Sequence, residues 1–413
     1  MPNNLNASIE ERWSKDMQMK HQRVDTFRDI VSMREESELK KGDLVHRPYR
    51  SNITVNDMSS EGAYTRQDVS ATDEQLSIDK EKESTIYLKE LDEIQSRYAL
   101  ARSWAQDQAK ALSNGIDGDV NAEVANALND VDNTDFGGAT SGQGILITES
   151  NIFDVFLYAT EKLDRRNAPE DGRYAVCSPQ FIRVLKSALV SRETNWGDKV
   201  GENGYVGMYD NFRIYKSNGL YSTYSLALAT QPTDGDTITL NIPDTEGTRS
   251  TVTFTFKTTL GSDPGNVLIG ASNDTALTNL AALINAPGTT TAQGVALSAA
   301  NQDLLKGVTA TADTSNDLMT LAAVGKGFVV VGETLTDATD EWTGELQVQH
   351  QMFGVKGAID LVIQVKPNVR MKSRDGYIGG DIVTWNVYGI KTFREGARFL
   401  VNVYMRADGF NAS

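Results

Sequence analysis

The chain of 413 residues contains one cysteine, three histidines and no long apolar run. The single cysteine, Cys177, excludes a disulfide within the chain and fits a reducing compartment. None of His21, His46 and His350 lies at metal-ligand spacing from another histidine or from the cysteine, so we expect no metal site. No apolar stretch approaches the roughly 18 residues that a membrane-spanning helix needs, and we expect no membrane contact.

The N-terminal segment lacks the features of a secretory signal. MPNNLNASIEERWSKDMQMK has neither a basic start followed by an apolar core nor a cleavage site of small residues. We therefore expect the protein to stay in the cytosol in which it is made.

Positive charge is scarce, because 40 Lys and Arg residues stand against 56 Asp and Glu residues, which gives a formal net charge of -16. Such a surface repels phosphates, and direct DNA binding is disfavoured. One local exception lies near the N-terminus. This basic cluster fits either contact with nucleic acid or an acidic partner, or a solvated or subunit-bound arm; it consists of Arg12, Lys15, Lys20, His21, Arg23 and Arg28.

Motifs of enzymes are also absent. There is no GxSxG, phosphate loop or dinucleotide fingerprint, and the glycines of GGATSGQG follow polar sequence, which predicts a flexible connector. Cys177 precedes a predicted helix, where the helix dipole favours a reactive thiolate. It also ends the apolar run RYAVC, and a cysteine in that position more often packs as a small hydrophobic residue. We predict that the protein is not an enzyme and has no catalytic residue and no cofactor.

Two acidic pairs raise the question of a calcium site. Asp234 with Asp236, and Asp340 with Glu341, supply the oxygen ligands that hard cations prefer. Neither pair forms a full ligand loop, and acidic turns between strands are common on solvated surfaces. We predict solvated turns at both places.

The length predicts two to three domains, and the first ninety residues predict elements that lack a partner within one subunit. Residues 9–33 have apolar residues near helical spacing among many charges, which indicates an amphipathic helix or an extended arm. The strand-like runs GDLVHRPYRSNITVND and LSIDKEKESTIYLKEL flank a polar middle and predict a long hairpin with few core residues. Such a hairpin is marginal alone, so we expect it to lie on something else.

Helical periodicity follows the predicted hairpin. Apolar residues repeat at three or four residues from Glu90 to about Leu112, and we expect NGIDGD to end or kink this long helix. A second helix is predicted from Ser150 to Leu163. RYAVCSPQFIRVLKSALV then predicts a buried strand and a helix with Ser178 as its N-cap. In GYVGMYDNFRIYKSNGL, an Asp-Asn pair supplies the turn of a hairpin.

The composition changes sharply at Tyr221. Between Ser222 and Val348 there are 4 Lys or Arg against 14 Asp or Glu, a net charge of -10, and 25 threonines. DTITLNI, TVTFTFKTT, GVTATA, DLMTLAA and GFVVVGETL predict strands, and NDTALTNLAALIN predicts one helix. We predict an inserted small α+β domain at residues 222–348 and call this segment the insertion. After it, FGVKGAIDLVIQV, DIVTWNVYGIKTF and ARFLVNVYM predict strands that complete the sheets begun before it.

The order of these elements resembles that of the major capsid protein of tailed bacteriophages, whose fold is shared with herpesvirus capsid floors and encapsulins. YAVCSPQFIRVLKSAL and GYVGMYDNFRIYKSNGL are similar to the family's strand, Ser-Pro helix opening and glycine-rich hairpin ending in Ser-Asn. The resemblance covers everything outside the insertion, which is itself similar to small Thr-rich modules of phage virion proteins. It implies an α+β fold in six parts: an N-terminal arm at 1–35, an extended loop at 36–89, a spine helix with the start of the peripheral domain at 90–130, the first part of an axial domain at 131–221, the inserted surface domain at 222–348, and the completion of both domains at 349–413.

The resemblance implies a structural function. Copies of the chain would form pentamers and hexamers of an icosahedral virion shell that encloses double-stranded DNA and is assembled in the host cytoplasm. Implied partners are other copies of the chain, a portal protein, and a decoration protein on the outer surface. Because the chain lacks a long charged helical N-terminal extension, a separate scaffolding protein is also implied. Packaged DNA would make only weak contact with the inner surface, and no Lys, Asn and Glu trio for chain linking is identifiable.

Three alternatives remain at this stage. An encapsulin-like compartment has the same fold but encloses an enzyme cargo. An adhesive or carbohydrate-binding virion module would use the Thr-rich acidic insertion. An enzyme is third, and its best residue is Cys177.

Overall fold

The computed structural model describes residues 25–34, 42–58, 60–62, 64, 66–90, 100–190, 207–244, 248–373 and 376–407. The predicted N-terminal arm up to residue 24, with most of the basic cluster, lies outside the described residues. So do residues 91–99 of the predicted long helix and the segment before Gly207 in the predicted axial hairpin.

The described residues form an α+β fold. The helices are α1 (Phe27–Ile30), α2 (Leu100–Ala122), α3 (Ile152–Arg165), α4 (Pro179–Val190), α5 (Asn273–Asn285), α6 (Ala299–Leu305) and α7 (Arg394–Arg398). The strands are β1 (Leu44–Arg50), β2 (Ala71–Ser77), β3 (Lys80–Lys89), β4 (Asn129–Val131), β5 (Arg173–Cys177), β6 (Met208–Tyr209), β7 (Phe212–Lys216), β8 (Ser222–Ala227), β9 (Thr237–Pro243), β10 (Arg249–Lys257), β11 (Asn266–Leu268), β12 (Val308–Asp313), β13 (Leu318–Ala323), β14 (Val330–Glu333), β15 (Val348–Val355), β16 (Asp360–Ser373), β17 (Gly379–Lys391) and β18 (Leu400–Arg406).

A nine-stranded mixed sheet forms the centre of the molecule. Its main path is β12-β13-β8-β15-β5-β7-β6, and β18 pairs with both β15 and β4. Every residue of β15 is buried. On one side β15 pairs with β18, and on the other it pairs with β5 and then with β8. Strands from before and after the insertion therefore share one sheet, as the sequence predicted.

Helices α3 and α4 cover this sheet as predicted from their periodicity. Phe156 on α3 and Phe181 on α4 pack against Phe353 of β15, with ring centroids 5.2 Å and 6.3 Å away. Ser178 accepts a hydrogen bond from the backbone N–H of Phe181 at 3.2 Å, which confirms it as the N-cap of α4. The predicted turn at Asp210 and Asn211 is also confirmed.

A second sheet has three strands in the order β16-β17-β3, and Leu361 and Tyr388 from it share a buried cluster with Met352 of the central sheet. Helix α2 packs on one of its faces, where Gln108 donates hydrogen bonds to the backbone oxygens of Ser84 and Ile382. The predicted strand in FGVKGAIDLVIQV is interrupted, because Lys356 to Ile359 turn the chain from β15 into β16. Gly357, with φ of +90°, supplies the left-handed backbone conformation of that turn.

NGIDGD does not end the long helix, because α2 continues through this run to Ala122, and the alternative of a kink there stays a prediction. Ile116 and Val120 lie in a buried cluster, so the helical conformation buries apolar surface on this turn. Asp117 accepts hydrogen bonds from the backbone N–H groups of Thr26 and Phe27, at 2.8 Å and 3.1 Å. These tertiary contacts outweigh the roughly 1 kcal/mol that each glycine costs in a helix.

The predicted pairing of the extended loop is wrong in one respect. Strand β1 pairs with β2, from Leu44 opposite Ser77 to Arg50 opposite Ala71, and β3 instead pairs with β17. Only the first residues of LSIDKEKESTIYLKEL thus belong to the hairpin. Pairing with β17 lets alternate side chains of β3 face α2, whose Gln108 donates a hydrogen bond to the backbone oxygen of Ser84.

The insertion has the strands and the helix that its pattern predicts, and it also contains α6, β8 and β11. Its core joins a four-stranded sheet, β11-β10-β9-β14, to α5 and the outer strands of the central sheet. The two ends of the insertion pair with one another, with Ser222 opposite Gln349 and Thr223 opposite Val348. The chain thus enters and leaves the insertion at neighbouring points of one sheet.

Candidate assembly surface

The residues that the sequence offered as catalytic or metal-binding candidates do not lie together in the fold. Cys177 is fully buried in the core under α3 and α4, and burial raises the pKa of its thiol. A protonated, buried thiol offers no nucleophile to a substrate. The predicted packing role of Cys177 is confirmed.

The two described histidines lie on different parts of the fold. His46 is an exposed residue of β1 and hydrogen-bonds with Asp73 at 2.8 Å. His350 is buried where β15 meets β8 and β18, and it hydrogen-bonds with Thr223 and Asn402, each at 2.9 Å. Burial lowers the pKa of His350 to about 4, so the ring is neutral at pH 7. His21 lies outside the described residues, and among those described no group of three or more His, Cys, Asp or Glu could hold a metal ion.

The acidic pairs of the insertion fasten loops. Asp340 accepts hydrogen bonds from the backbone N–H groups of Ala229 and Thr230. Asp236 accepts from Thr233 and Thr336, which joins two neighbouring loops. Both carboxylates are buried, so the prediction of solvated turns is wrong for these two members of the pairs. Their oxygens satisfy backbone donors, as carboxylates in Asx turns do.

GGATSGQG is not a free connector. Asp132 accepts hydrogen bonds from the Ser141 hydroxyl at 2.8 Å and from the Gly142 N–H at 2.7 Å. Gly144 lies so close to β18 that an added Cβ would be 2.9 Å from the Cα of Arg406. The segment is therefore held against the rest of the protein. The carboxylate that holds it belongs to Asp132, which precedes the glycines, and the composition of the run did not predict this contact.

The β1–β2 hairpin carries the most exposed apolar side chains of the described chain. We call residues 51–70 between the two strands the hairpin tip; its described part is bridged by hydrogen bonds between Gln67 and Thr54 and between Ser51 and Ser70. Val55 is 98% exposed and Tyr64 is 87% exposed. The remaining large apolar residues exposed on the tip are Ile53, Met58 and Val69.

The base of the hairpin is held against the body by charged and aromatic contacts. The Arg47 guanidinium pairs with Asp360 at 2.7 Å and lies over the Phe393 ring. Leu76 packs with Val362 and Phe393 in a small buried cluster. The hairpin thus has a fixed base and a tip whose apolar side chains face solvent. The strand alternation predicted a hairpin with few core residues that lies on something else, but no local motif predicted Arg47 and Asp360 as the residues that hold it.

The described end of the N-terminal arm is also fastened. Asp117 caps α1, as described above, and Asp25 pairs with Lys110 at 2.9 Å. The backbone of Ser32 bonds to that of Ile359 and Leu361 at the start of β16. Of the basic cluster only Arg28 is described; it is exposed and its guanidinium lies 5.4 Å from the centre of the Phe27 ring.

In the described part of the chain, no helix has the length and apolar character needed to cross a bilayer. No protein-family model matches the sequence, and no curated protein matches it.

Solved structures do match, over nearly the whole chain. A structure from Mycobacterium phage Che8 aligns with a TM-score of 0.55 at 18% identity, covering 95% of this chain and 96% of that one. The capsid structure of cyanophage P-SCSP1u aligns with a TM-score of 0.55 at 12% identity, covering 98% and 95%. The mature capsid of bacteriophage PhiM1 aligns with a TM-score of 0.51 at 10% identity, covering 98% and 93%.

These matches define the class of fold to which the chain belongs. The chain has the fold of tailed-phage capsid structures, which confirms the resemblance drawn from the order of its elements. Within that class, the arrangement is the major capsid protein fold, with mixed helices and sheets.

Proposed function

We propose that this chain is the major capsid protein of a tailed bacteriophage, a structural protein of the virion. The observation that carries the proposal is the shared fold, which covers 95% or more of the chain in matches to phage structures. The catalytic candidate Cys177 is buried, which agrees with a structural function.

The hairpin supplies a means of assembly. Its tip exposes several large apolar side chains that the described chain does not bury, whereas its base is fixed by Arg47 and Asp360. Covering apolar surface contributes about 25 cal/mol per Å², so a neighbouring copy that covers the tip stabilises both subunits. We infer that copies of the chain lie across one another through this hairpin and through the N-terminal arm.

Repetition of one such contact produces a ring of subunits, and further contacts between rings close a shell. A surface that meets a different surface on the next copy generates rings when the rotation closes. We propose pentamers and hexamers that form an icosahedral shell in the host cytoplasm. A portal protein and a separate scaffolding protein would be its assembly partners.

The charge distribution supports an orientation for the insertion. It carries a net charge of -10 out of the -16 of the whole chain, and we propose that it lies on the outer surface, where a decoration protein can reach it. Packaged DNA would then meet the remaining, less acidic part of the chain and bind weakly. Tight DNA binding by assembled shells that weakens steeply with salt would contradict this arrangement.

Electron microscopy of the expressed protein tests the proposal. The protein is imaged in negative stain, alone and co-expressed with the genes beside its own. We expect closed shells or capsomer rings in at least one condition. Monodisperse monomers in both conditions would contradict the proposal and favour an adhesive role for the insertion.

A further inference from the structure

The face of the three-stranded sheet opposite α2 is open to solvent. Val383, Trp385 and Val387 form an apolar row along its central strand, β17, and all three are half-buried. In antiparallel pairing, directly opposed residues share a face. Glu83 lies opposite Trp385 and therefore belongs to this open face. Arg370 belongs to it as well, because its guanidinium lies 5.0 Å from the centre of the Trp385 ring.

The two outer strands of this face carry opposite charge. On β3, the exposed side chains include Glu81 and Glu83. On β16, they include Arg370 and Lys372. We call the first pair the acidic edge and the second pair the basic edge.

Charges within the same subunit do not neutralise these edges. Adjacent strands are about 4.8 Å apart, so the backbones of the two outer strands lie about 10 Å from each other across β17, and the Arg370 guanidinium lies over the Trp385 ring between them. Lys80 and Lys82 alternate with the glutamates, but they point to the other face and pair with Asp119. Among the described residues, neither edge forms an ion pair.

Other charged groups near the edges are few and leave their signs unchanged. Asp381 stands opposite Lys372 in the register of β17, at the far end of the basic edge. Lys366 adds positive charge to the same strand, and Lys89 lies at the far end of β3. Around Trp385 itself, the face remains acidic on the β3 side and basic on the β16 side.

We propose that the acidic edge of one copy docks against the basic edge of a second copy of this chain. This inference rests on the proposed function, since it names one of the contacts by which the shell is built. The pattern permits unlike edges to meet and makes like edges repel, which fixes the relative orientation of neighbours. Because each copy offers a different edge to each neighbour, the contact is of the type that closes into rings.

Edge charges have a second known use. Exposed strands of a sheet often carry charged side chains that prevent pairing with other chains. If that were their function here, the sign on each edge would not matter, and reversing it would leave assembly unchanged. The two explanations therefore predict opposite results.

Reversal and exchange of the charges test the proposal. One variant carries Glu81→Lys and Glu83→Lys, a second carries Arg370→Glu and Lys372→Glu, and a third combines all four substitutions. Closed shells are counted by negative-stain electron microscopy under the condition in which the unaltered chain assembles. A matched control carries Asp263→Lys and Asp303→Lys, which change the net charge as the first variant does, but on the exposed surface of the insertion.

We expect each double reversal to reduce the yield of shells at least about tenfold, because like charges then face one another. The fourfold exchange restores the contact and should return most of the yield, and the control should assemble as the unaltered chain does. Thermal melting of the unassembled variants checks their folding. For a variant that does not fold, the neutral changes Glu81→Gln with Glu83→Gln, and Arg370→Gln with Lys372→Gln, take its place, and reduced yields are again expected.

The outcomes separate this inference from the proposed function. Unchanged yields for both reversals, or loss that the fourfold exchange does not relieve, overturn the edge contact and leave the capsid function standing. Failure of the unaltered chain to assemble in any condition overturns both.

Discussion

The insertion and the rest of the chain differ in how much apolar surface they leave exposed to solvent. In the described residues, all the large hydrophobic side chains classed as exposed lie outside residues 222–348. The insertion instead closes its own core, in which Leu240, Phe254, Leu280 and Leu321 are fully buried. One part therefore buries its apolar surface against itself, and the other leaves apolar side chains in solvent, where the proposed function would have neighbouring subunits cover them.

The sheet edges repeat this difference. The middle of β12, at the edge of the central sheet, is closed by the side chain of Asn285 on α5. That amide donates to the backbone oxygen of Ala310 at 2.8 Å and accepts from its N–H at 2.9 Å. At β3 and β16 the charged side chains stand on open strands instead. The insertion thus protects its edge with its own residues.

The largest expected effect comes from the hairpin tip. We predict that Val55→Glu with Tyr64→Glu abolishes shell formation, because charges would have to be buried under the neighbouring copy. The thermal midpoint of the unassembled subunit should stay the same, since both side chains are exposed. Electron microscopy and calorimetry measure the two quantities.

The matched control for the tip lies on the exposed face of the insertion. Thr251→Glu with Thr253→Glu adds the same charge on β10, at exposed positions. This control should assemble normally. Normal assembly of the tip variant would show that the tip is not covered in the shell.

The next largest effect is expected on stability, in the buried core of the insertion and in the core under α3 and α4. Phe254→Ala in the insertion and Phe353→Ala under α3 each remove a fully buried ring and should lower the free energy of unfolding by about 3–5 kcal/mol. We expect Phe254→Ala to speed hydrogen exchange mainly in the insertion and Phe353→Ala to speed it mainly in the rest of the chain. Hydrogen exchange followed by mass spectrometry locates the opened amides, and equal opening in both parts would contradict the division.

The junction between the two parts should respond to pH through His350. Its folded pKa of about 4 lies below the ordinary value of 6.5, so the unfolded chain binds the proton more readily. The contribution of the neutral ring is complete above pH 6.5 and is lost as the pH falls towards 4. The loss amounts to roughly 3 kcal/mol.

Denaturant melts at several pH values measure this contribution. The variant His350→Gln keeps polar atoms at the site but does not titrate, so the difference in stability between the two proteins should change between pH 6.5 and pH 4. A difference that stays constant over this range would contradict the assignment to His350.

The smallest effect is expected at the closed edge of the insertion. Asn285→Leu leaves the N–H and oxygen of Ala310 without their side-chain partner and should cost about 1–3 kcal/mol. The exchange of the Ala310 amide with deuterium should become faster than that of its neighbours on β12. Unchanged protection there would show that the amide of Asn285 is dispensable.

The sequence predicted elements whose signal is local. The run RYAVCSP predicted β5 and the N-cap of α4, and the Asp-Asn pair predicted a hairpin turn. Those two residues have φ values of 45° and 62°, the left-handed conformation that such turns require. Alternation in TVTFTFKTT likewise predicted β10 because one face of that strand is buried.

Features that depend on distant partners could not be predicted in the same way. NGIDGD has two glycines and looked like a helix end, but the partners of Asp117 lie about ninety residues earlier in the chain. The pairing of β3 with β17 joins segments separated by almost 300 residues, and no local pattern distinguishes it from pairing with β1. The open face around Trp385 was missed for the same reason, since Glu83 and Arg370 become neighbours of Trp385 only when the sheet forms.

The pairing of Thr223 with Val348 has a consequence for how the insertion is joined to the rest of the chain. Opposed residues of antiparallel strands have Cα atoms about 5 Å apart, so the insertion joins the rest of the chain at two points as close together as the ends of a tight turn. A different module with equally close termini can occupy the same position while β15 keeps its place between β5 and β18. Residues 222–348 can therefore be exchanged as one block between two neighbouring junctions, while β15 keeps its pairing with β5 and β18.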